Sequence, residues 1–254
     1  MKSILFILTL VIFSLPITFP HSAKSNTNLN SIKPTQKVLS IYELGDTTVE
    51  IPAPEGFEEI SAQLKNIRNR FDVTEDVNNE VLAVHLPGEI ANKLKRGEPA
   101  GLTFYTKISV PKRVKEKNFT SSEFAQIVSL LKSNNKEILD INSPKMQSAI
   151  KNMEQNLSEL NDKETKINFS QPINLGEIES GQNVYGLMLL LKMNPQIGGK
   201  QGEVLLLCGA TFVRVKQRVI YVYTYRRFQS SEDVDVLKSF TKRWVGQIMA
   251  ANQE

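Results

Sequence analysis

Three long apolar runs in the last third of the chain constrain its fold more than any other feature. They cover residues 184–193, 204–215 and 219–226, and the polar segments 194–195 and 198–202 separate the first run from the second. Long apolar runs bounded by Asn, Pro and Gly are typical of strands buried within a sheet. The end of the chain therefore predicts neighbouring antiparallel strands joined by hairpins.

The run 219–226 indicates which strand lies in the middle of this sheet. Its side chains alternate between two faces. One face has Val219, Tyr221, Tyr223 and Tyr225, and the other has Ile220, Val222, Thr224 and Arg226. Because both faces are partly apolar, we expect this strand to be central in the sheet and covered, at least in part, on both sides.

Shorter signals for strands and helices precede these runs. An apolar stretch at 38–42 and alternating residues at 48–51 flank Gly45-Asp46, which predicts a hairpin. The next part of the chain predicts a helix capped by Ser61 with Leu64, Ile67 and Phe71 on one face, strands at 81–86 and 102–110, and a helix at 89–95.

Residues 120–163 contain strong helix signals and almost no strand signal. Thr120 and Glu123 have the spacing of a capping box, and an apolar stripe follows them. Ser143 followed by Pro144 marks a second helix start, because Pro is well suited to the first helical position. The middle of the chain is therefore predicted to be a helical insert.

The second of these helices has an apolar stripe that is the best candidate for a partner surface. Its members are spaced alternately four and three residues apart: Met146, Ile150, Met153, Leu157 and Leu160. This seam is too short to define a coiled coil. Two interpretations stay open, because the stripe can pack on the protein's own sheet or preceding helix, or it can bind another protein.

A further helix is expected to close the chain. Ser230 or Ser231 is a suitable cap, and Glu232 and Asp233 follow in the first turn, where negative charge is favourable. Its apolar stripe consists of Leu237, Phe240, Trp244, Val245 and Ile248. The predicted fold class is α+β, an antiparallel sheet flanked by helices, with the helical insert at 120–163 and the C-terminal helix packed on the sheet.

The order of these elements resembles a known family. The initial hairpin ends in Ile-Pro-Ala-Pro-Glu-Gly-Phe at 51–57, and an antiparallel meander and a terminal helix follow. Over 37–110 and 165–252 this order is similar to the PsbP/Mog-like α/β/α sandwich, which includes bacterial members of unassigned role. The resemblance implies a protein that docks onto larger partners, as adaptors and assembly factors do, and it assigns no functional residue.

The amino terminus has the layout of an export signal. Lys2 precedes an apolar run at 4–13, and Pro16 and the small residues Ser22 and Ala23 follow. This order of a positive start, an apolar core and a small-residue exit predicts a signal peptide at 1–23 with cleavage after Ala23.

An uncleaved signal is the alternative. Residues 4–19 would then remain as an anchor, although they fall short of the roughly 20 apolar residues that a spanning helix needs. Residues 24–36 are polar and are predicted to form a disordered leader. A single α+β domain is then expected over 37–254, periplasmic or secreted, with no stable membrane insertion once the signal is removed.

Composition limits the chemistry of the chain. Cys208 is the one cysteine, so no intramolecular disulfide can form, and its apolar neighbours favour a buried thiol over a nucleophile. The net charge is +4, with 31 basic residues spread among 27 acidic ones. This spread predicts no nucleic-acid partner, and the basic stretch 112–117 is interpreted as a solvated loop.

Motifs predict no catalytic residue, metal ligand or cofactor. Beyond the signal His85 is the one histidine, and it lies in a predicted strand without a nucleophile motif beside it. The acidic residues at 72–80 lack EF-hand spacing and are interpreted as a solvated turn, while the loop 198–202 lacks the P-loop pattern. Glu177 and Glu179 can share a strand face, either as a carboxylate pair or as ordinary surface residues.

Two functions remain as expectations. The favoured one is an exported, non-catalytic binding or assembly module that contacts another envelope or secreted protein and uses no cofactor. The alternative is an envelope or secreted hydrolase whose site has no recognisable motif.

Overall fold

The computed structural model describes residues 39–253. The predicted signal peptide, its cleavage site at Ala23 and the predicted leader lie outside this range. Within it the chain forms an α+β domain built on a large antiparallel sheet. No helix between residues 39 and 253 is both long and apolar enough to cross a membrane.

A separate hairpin opens the described chain. Strand β1 (Leu39–Leu44) pairs antiparallel with β2 (Thr47–Pro52). Gly45 in the connecting turn has a φ of 68°, a left-handed value that glycine adopts without a steric penalty. The predicted turn at Gly45-Asp46 is therefore confirmed.

The other strands form one nine-stranded sheet. They are β3 (Phe57–Glu59), β4 (Asn79–Pro87), β5 (Phe104–Pro111), β6 (Thr165–Phe169), β7 (Ile173–Gly181), β8 (Val184–Ile197), β9 (Lys200–Gln201), β10 (Val204–Val215) and β11 (Arg218–Arg227). The main order is β3-β4-β5-β11-β10-β8-β6, and β7 and β9 also pair with β8. All of these pairings are antiparallel.

The α-helices of the described range lie between and after these strands. They are α1 (Lys65–Thr74), α2 (Gly88–Lys95), α3 (Ser121–Ser133), α4 (Asn135–Ile138), α5 (Pro144–Asn161) and α6 (Glu232–Ala251). The predicted helical insert at 120–163 corresponds to α3, α4 and α5. The predicted closing helix corresponds to α6.

Helix caps follow the sequence in the insert and depart from it elsewhere. Thr120 Oγ1 accepts from the N–H of Glu123 at 3.2 Å, and Glu123 Oε2 accepts from the N–H of Thr120 at 2.9 Å, which confirms the capping box. The cap at Ser61 is wrong, because residues 61–63 form a turn of their own in which the N–H of Leu64 bonds to Ile60 O.

The start of α6 uses a different cap from the one predicted. Ser231 occupies the N-cap position, but its side chain makes no capping hydrogen bond. The Asp233 carboxylate instead accepts from the N–H groups of Gln229 at 2.8 Å and Ser230 at 3.0 Å. The Asp233 carboxylate therefore ties the helix start to the two residues before the N-cap, and its negative charge is favourable in the first turn.

Buried apolar clusters lie on both faces of the sheet. Helices α1, α2, α3 and α5 cover the face that contains Tyr221 and Tyr223. Helix α6 and the β1–β2 hairpin cover the face that contains Ile220 and Val222. Strand β11 is therefore covered on both sides, as its sequence predicts.

Gly209 lets α6 approach the sheet closely. A Cβ atom at this position would lie 2.4 Å from Thr224 Oγ1 and 2.9 Å from Thr241 Oγ1. The two threonine hydroxyls hydrogen-bond to each other at 2.6 Å, so β11 and α6 meet directly above the glycine. A side chain at residue 209 would push this polar contact apart.

The helical insert closes one exposed edge of the sheet. Strand β6 pairs with β8 on one side, and α5 lies along its other side. Ser158 Oγ accepts from the N–H of Thr165 at 2.9 Å, and Glu154 Oε1 accepts from the N–H of Ile167 at 2.6 Å. These side chains accept hydrogen bonds from N–H groups at the sheet edge, which would otherwise be open to pairing with a strand of another chain.

Candidate functional site

A small cleft lies between α5 and the segment 74–77 that follows α1; we call it the α5 cleft. Its volume is about 40 Å³. The apolar residues that line it are Val77, Ile141, Met146, Ala149, Ile150, Met153 and Phe169. Glu75, Asp76, Asn152 and Asn156 add polar groups at its floor and rim.

The floor of the α5 cleft contains a buried ion pair. Lys107 Nζ lies 2.6 Å from Glu75 Oε2, and both side chains are almost fully removed from solvent, at 0% and 3% exposure. Lys107 Nζ also lies 4.9 Å from the centre of the Tyr223 ring, and Asn79 Nδ2 donates to Glu75 Oε1 at 3.0 Å. Buried charges are stable only when paired in this way.

The same acidic groups raise the pKa values of two tyrosines on β11. Burial raises the pKa of Tyr221 strongly, and the negative charges of Glu75 and Asp76 raise it further. Burial also raises the pKa of Tyr223, with Glu75 as the next cause. Both phenols therefore stay neutral at pH 7.

The predicted partner stripe is divided between the core and the cleft. Met153 and Leu157 are buried in the domain core at 7% and 5% exposure. Met146, Ile150 and Leu160 are half-buried. Met146, Ile150 and Met153 line the α5 cleft, so part of the stripe packs against the protein and part faces the cleft. Binding of a partner by this stripe stays a prediction.

His85 and Cys208 occupy the interior. His85 is fully buried, with its Nδ1 3.1 Å from Thr106 Oγ1 and its ring 5.3 Å from the Trp244 ring, and burial lowers its pKa to about 3. Cys208 is buried on the tyrosine face, and burial raises its pKa to about 12. Both groups are neutral at pH 7, and neither has the accessible, activated setting that a base or nucleophile requires.

The carboxylates Glu177 and Glu179 are not held as a pair. The pairing of β7 with β8 shifts in register between them. Glu177 Oε1 instead lies 2.9 Å from Lys132 Nζ on α3. An exposed ion pair of this kind explains Glu177 without a catalytic role.

The charged and glycine-rich segments singled out in the sequence have ordinary settings. Lys115 pairs with Glu80 at 2.9 Å and Lys117 pairs with Glu123 at 2.9 Å, so the stretch 112–117 is largely neutralised. The loop 198–202 joins β8 to β10 through the short β9, as a hairpin. Between residues 39 and 253 no group of three His, Cys, Asp or Glu side chains is placed to hold a metal ion.

Sequence reasoning missed the ion pair under the cleft. Glu75 belongs to the acidic stretch 72–80, and the solvated-turn interpretation is wrong for this residue, which is buried. Lys107 lies within the apolar strand β5, where the flanking Thr106 and Ile108 are also buried. A lysine inside an apolar strand is the signal that could have found the pair, because an unpaired lysine is not tolerated there.

Comparison with known proteins finds weak similarity to two solved structures. No protein-family model matches the chain, and no curated protein matches it. A point mutant of the protein Mog1 is similar at a TM-score of 0.32 and 10% sequence identity, over 85% of this chain and 94% of that one. The Ran-binding protein Mog1p of Saccharomyces cerevisiae is similar at a TM-score of 0.31 and 9% identity, over 85% and 95%. Neither likeness assigns a partner or an activity to this chain.

Proposed function

We propose that this protein is an exported, non-catalytic binding module that holds another envelope or secreted protein through the α5 cleft. The observation that supports the proposal is the lining of the cleft, where Met146, Ile150 and Met153 of the predicted partner stripe meet the exposed Val77. These residues form an apolar recess with a polar rim, which is the arrangement expected around an anchoring side chain at a protein interface.

The size of the cleft favours a protein partner over a small metabolite. Pockets for small molecules have volumes of roughly 300–1,000 Å³. The α5 cleft has about 40 Å³, which is room for about three water molecules at roughly 10–15 Å³ each. It therefore fits the end of one apolar side chain, whose burial would contribute about 0.8 kcal/mol for each CH₂ group that enters.

The ion pair at the floor supports a role in specificity. A buried Lys–Glu pair adds little or nothing to stability in comparison with well-packed apolar residues, but it requires one arrangement of the groups around it. Glu75 holds Lys107 on β5, Asn79 on β4 and the N–H of Asp76 in the cleft wall. The pair would keep the cleft in one shape before a partner arrives.

A hydrolase that uses His85 as its base would require this residue to reach a substrate. His85 is enclosed between the sheet and α6 and contacts Trp244 and Thr106. The binding function is therefore the one that the geometry supports better.

The test compares two charged substitutions on α5. Ile150→Glu places a carboxylate in the cleft, whereas Ser148→Glu places the same group on the exposed side of the helix. We expect the wild type and Ser148→Glu to retain one defined partner from an envelope extract and Ile150→Glu to lose it. Circular dichroism must show that both variants fold. Retention of the partner by a folded Ile150→Glu variant would exclude the cleft.

A further inference from the structure

A block of four side-chain amides lies on the face of the sheet opposite the α5 cleft. We call it the amide face, and it consists of Asn168 on β6, Asn194 and Gln196 on β8, and Gln201 on β9. Asn168 lies directly opposite Asn194, and Gln196 lies directly opposite Gln201. Residues opposite each other, or two apart on one strand, point to the same side of a sheet, so all four amides share one face.

The amide face is the uncovered part of its sheet surface. The neighbouring residues Ile167 and Met193 point the other way, into the core beneath α5. Helix α6 packs over β7, β10 and β11 instead. Asn168 and Gln201 are exposed and Asn194 and Gln196 are half-buried, around a shallow concavity of about 460 Å³.

The four amides are available to a ligand. Within residues 39–253 no hydrogen bond engages their side chains. A polar outer surface is usual for an antiparallel sheet, but asparagine is depleted in strands, and the clustering of four amides is not required by the fold. Each amide offers donors and an acceptor side by side, which matches the donor and acceptor character of a hydroxyl group.

The charges around the amide face indicate that its ligand is neutral. Lys192 Nζ pairs with Glu203 at 2.7 Å, and Lys166 Nζ pairs with Glu164 at 2.8 Å. Lys200 precedes Gln201 in β9, so its side chain points to the opposite face. The lysines on this face are thus matched by carboxylates of the chain, and neither an anion nor a basic segment finds an unmatched charge there.

We propose that the amide face binds a neutral, hydroxyl-rich chain, namely an oligosaccharide. The face extends over three adjacent strands, a distance of roughly 10 Å at the usual strand spacing, which is about the length of two linked sugar rings. Its concavity lies within the roughly 300–1,000 Å³ range of small-molecule sites, unlike the α5 cleft. This site is independent of the proposed protein-binding function.

The test follows the side-chain NH₂ signals of the protein by NMR during titration with maltotetraose, cellotetraose and chitotetraose. At least one of these neutral tetrasaccharides should shift the NH₂ signals of the amide face and leave those of Asn152 and Gln155 on α5 unchanged. The Asn194→Ala/Gln196→Ala variant should weaken binding by roughly tenfold or more, since it removes at least two hydrogen bonds. The matched Asn66→Ala/Asn69→Ala variant, at two exposed positions of α1, should bind as the wild type does.

Three results would overturn the proposal. They are the absence of shifts at millimolar concentrations of all three tetrasaccharides, unchanged affinity in a folded Asn194→Ala/Gln196→Ala variant, and tighter binding of the anionic tetragalacturonate than of every neutral probe. Because the Asn194 and Gln196 side chains make no hydrogen bond within the described chain, this variant should unfold at the same temperature as the wild type.

Discussion

The side-chain amide of Asn252 pairs with both backbone polar groups of Glu50. Its Oδ1 accepts from the N–H of Glu50 at 2.9 Å, and its Nδ2 donates to the Glu50 carbonyl at 2.7 Å, as a residue on a neighbouring strand would. Trp244 Nε1 donates to the carbonyl of Pro52 at 2.8 Å. Side chains of α6 and of its C-cap residue Asn252 therefore attach a hairpin that no strand of the main sheet pairs with.

Replacement of Asn252 should loosen this attachment. Asn252→Ala leaves a donor and an acceptor of Glu50 without these partners, and we expect the free energy of unfolding to fall by about 1–3 kcal/mol. Urea unfolding measures the change. The exposed neighbour provides the control, since Gln253→Ala should change stability by less than about 0.5 kcal/mol. Equal stability of the two variants would show that the amide contact contributes nothing.

The buried pair of Lys107 and Glu75 should show strong coupling. Lys107→Met leaves the Glu75 carboxylate buried without its cation, and we expect a loss of about 3–5 kcal/mol. Adding Glu75→Gln removes the unmatched charge and keeps a side-chain oxygen for Asn79 Nδ2, so the double variant should regain about 2 kcal/mol or more. Denaturant unfolding of the wild type, the single variants Lys107→Met and Glu75→Gln, and the double variant gives the four free energies of the double-mutant cycle. A double variant less stable than Lys107→Met would contradict the account.

The charge state of His85 should make stability depend on pH. Burial lowers its pKa in the folded protein to about 3 from the ordinary 6.5, so the unfolded chain takes up a proton that the folded protein excludes. The free energy of unfolding therefore has its full value above pH 6.5 and falls as the pH is lowered towards 3. Well inside this range it falls by about 1.4 kcal/mol per pH unit.

The measurement of this effect uses the upper part of the range, where most carboxylates are still ionised. Unfolding free energies of the wild type should fall between pH 6.5 and about 5, whereas those of His85→Gln should not, because glutamine has no proton to gain. If the free energies of unfolding of the two proteins depend on pH in the same way, His85 takes up a proton in the folded protein as readily as in the unfolded chain.

Local rules accounted for much of this fold. The Thr120–Glu123 capping box, the Gly45-Asp46 turn and the alternation along β11 depend on residues within a few positions of one another, so the sequence shows them directly. The strand and helix order led to the α+β class for the same reason. The cap at Ser61 failed because a turn at 61–63 offers the same residues a competing local hydrogen bond.

The candidate site depended on contacts that local patterns do not contain. In the sequence Glu75 is one of several acidic residues in a polar turn. Its partner Lys107 lies on β5, and no local spacing pattern relates the two residues. The helical period of the sequence predicts the apolar stripe of α5. It does not predict which residues of the stripe are buried against the sheet. Leu157 lies in the core, Met146 and Ile150 line the cleft, and Met153 is both buried and part of the cleft lining.

The closure of β6 by α5 predicts a local change in hydrogen exchange. Glu154→Ala removes the acceptor for the N–H of Ile167, and this amide should exchange roughly tenfold faster, which corresponds to the loss of one hydrogen bond. Glu154→Gln keeps an oxygen at the same place and should exchange nearly as the wild type does. An unchanged Ile167 amide in Glu154→Ala would show that the edge is protected by other means.

The most direct test of the central claim is photo-crosslinking from the rim of the α5 cleft. A photoreactive amino acid at Val77, which is 65% exposed beside the cleft, should yield one adduct of discrete mass with an envelope or secreted protein. The same group at Gln155, on the exposed side of α5, should yield none, and Ile150→Glu should abolish the Val77 adduct. A Val77 adduct that persists in folded Ile150→Glu, or equal crosslinking from both positions, would contradict binding through the cleft.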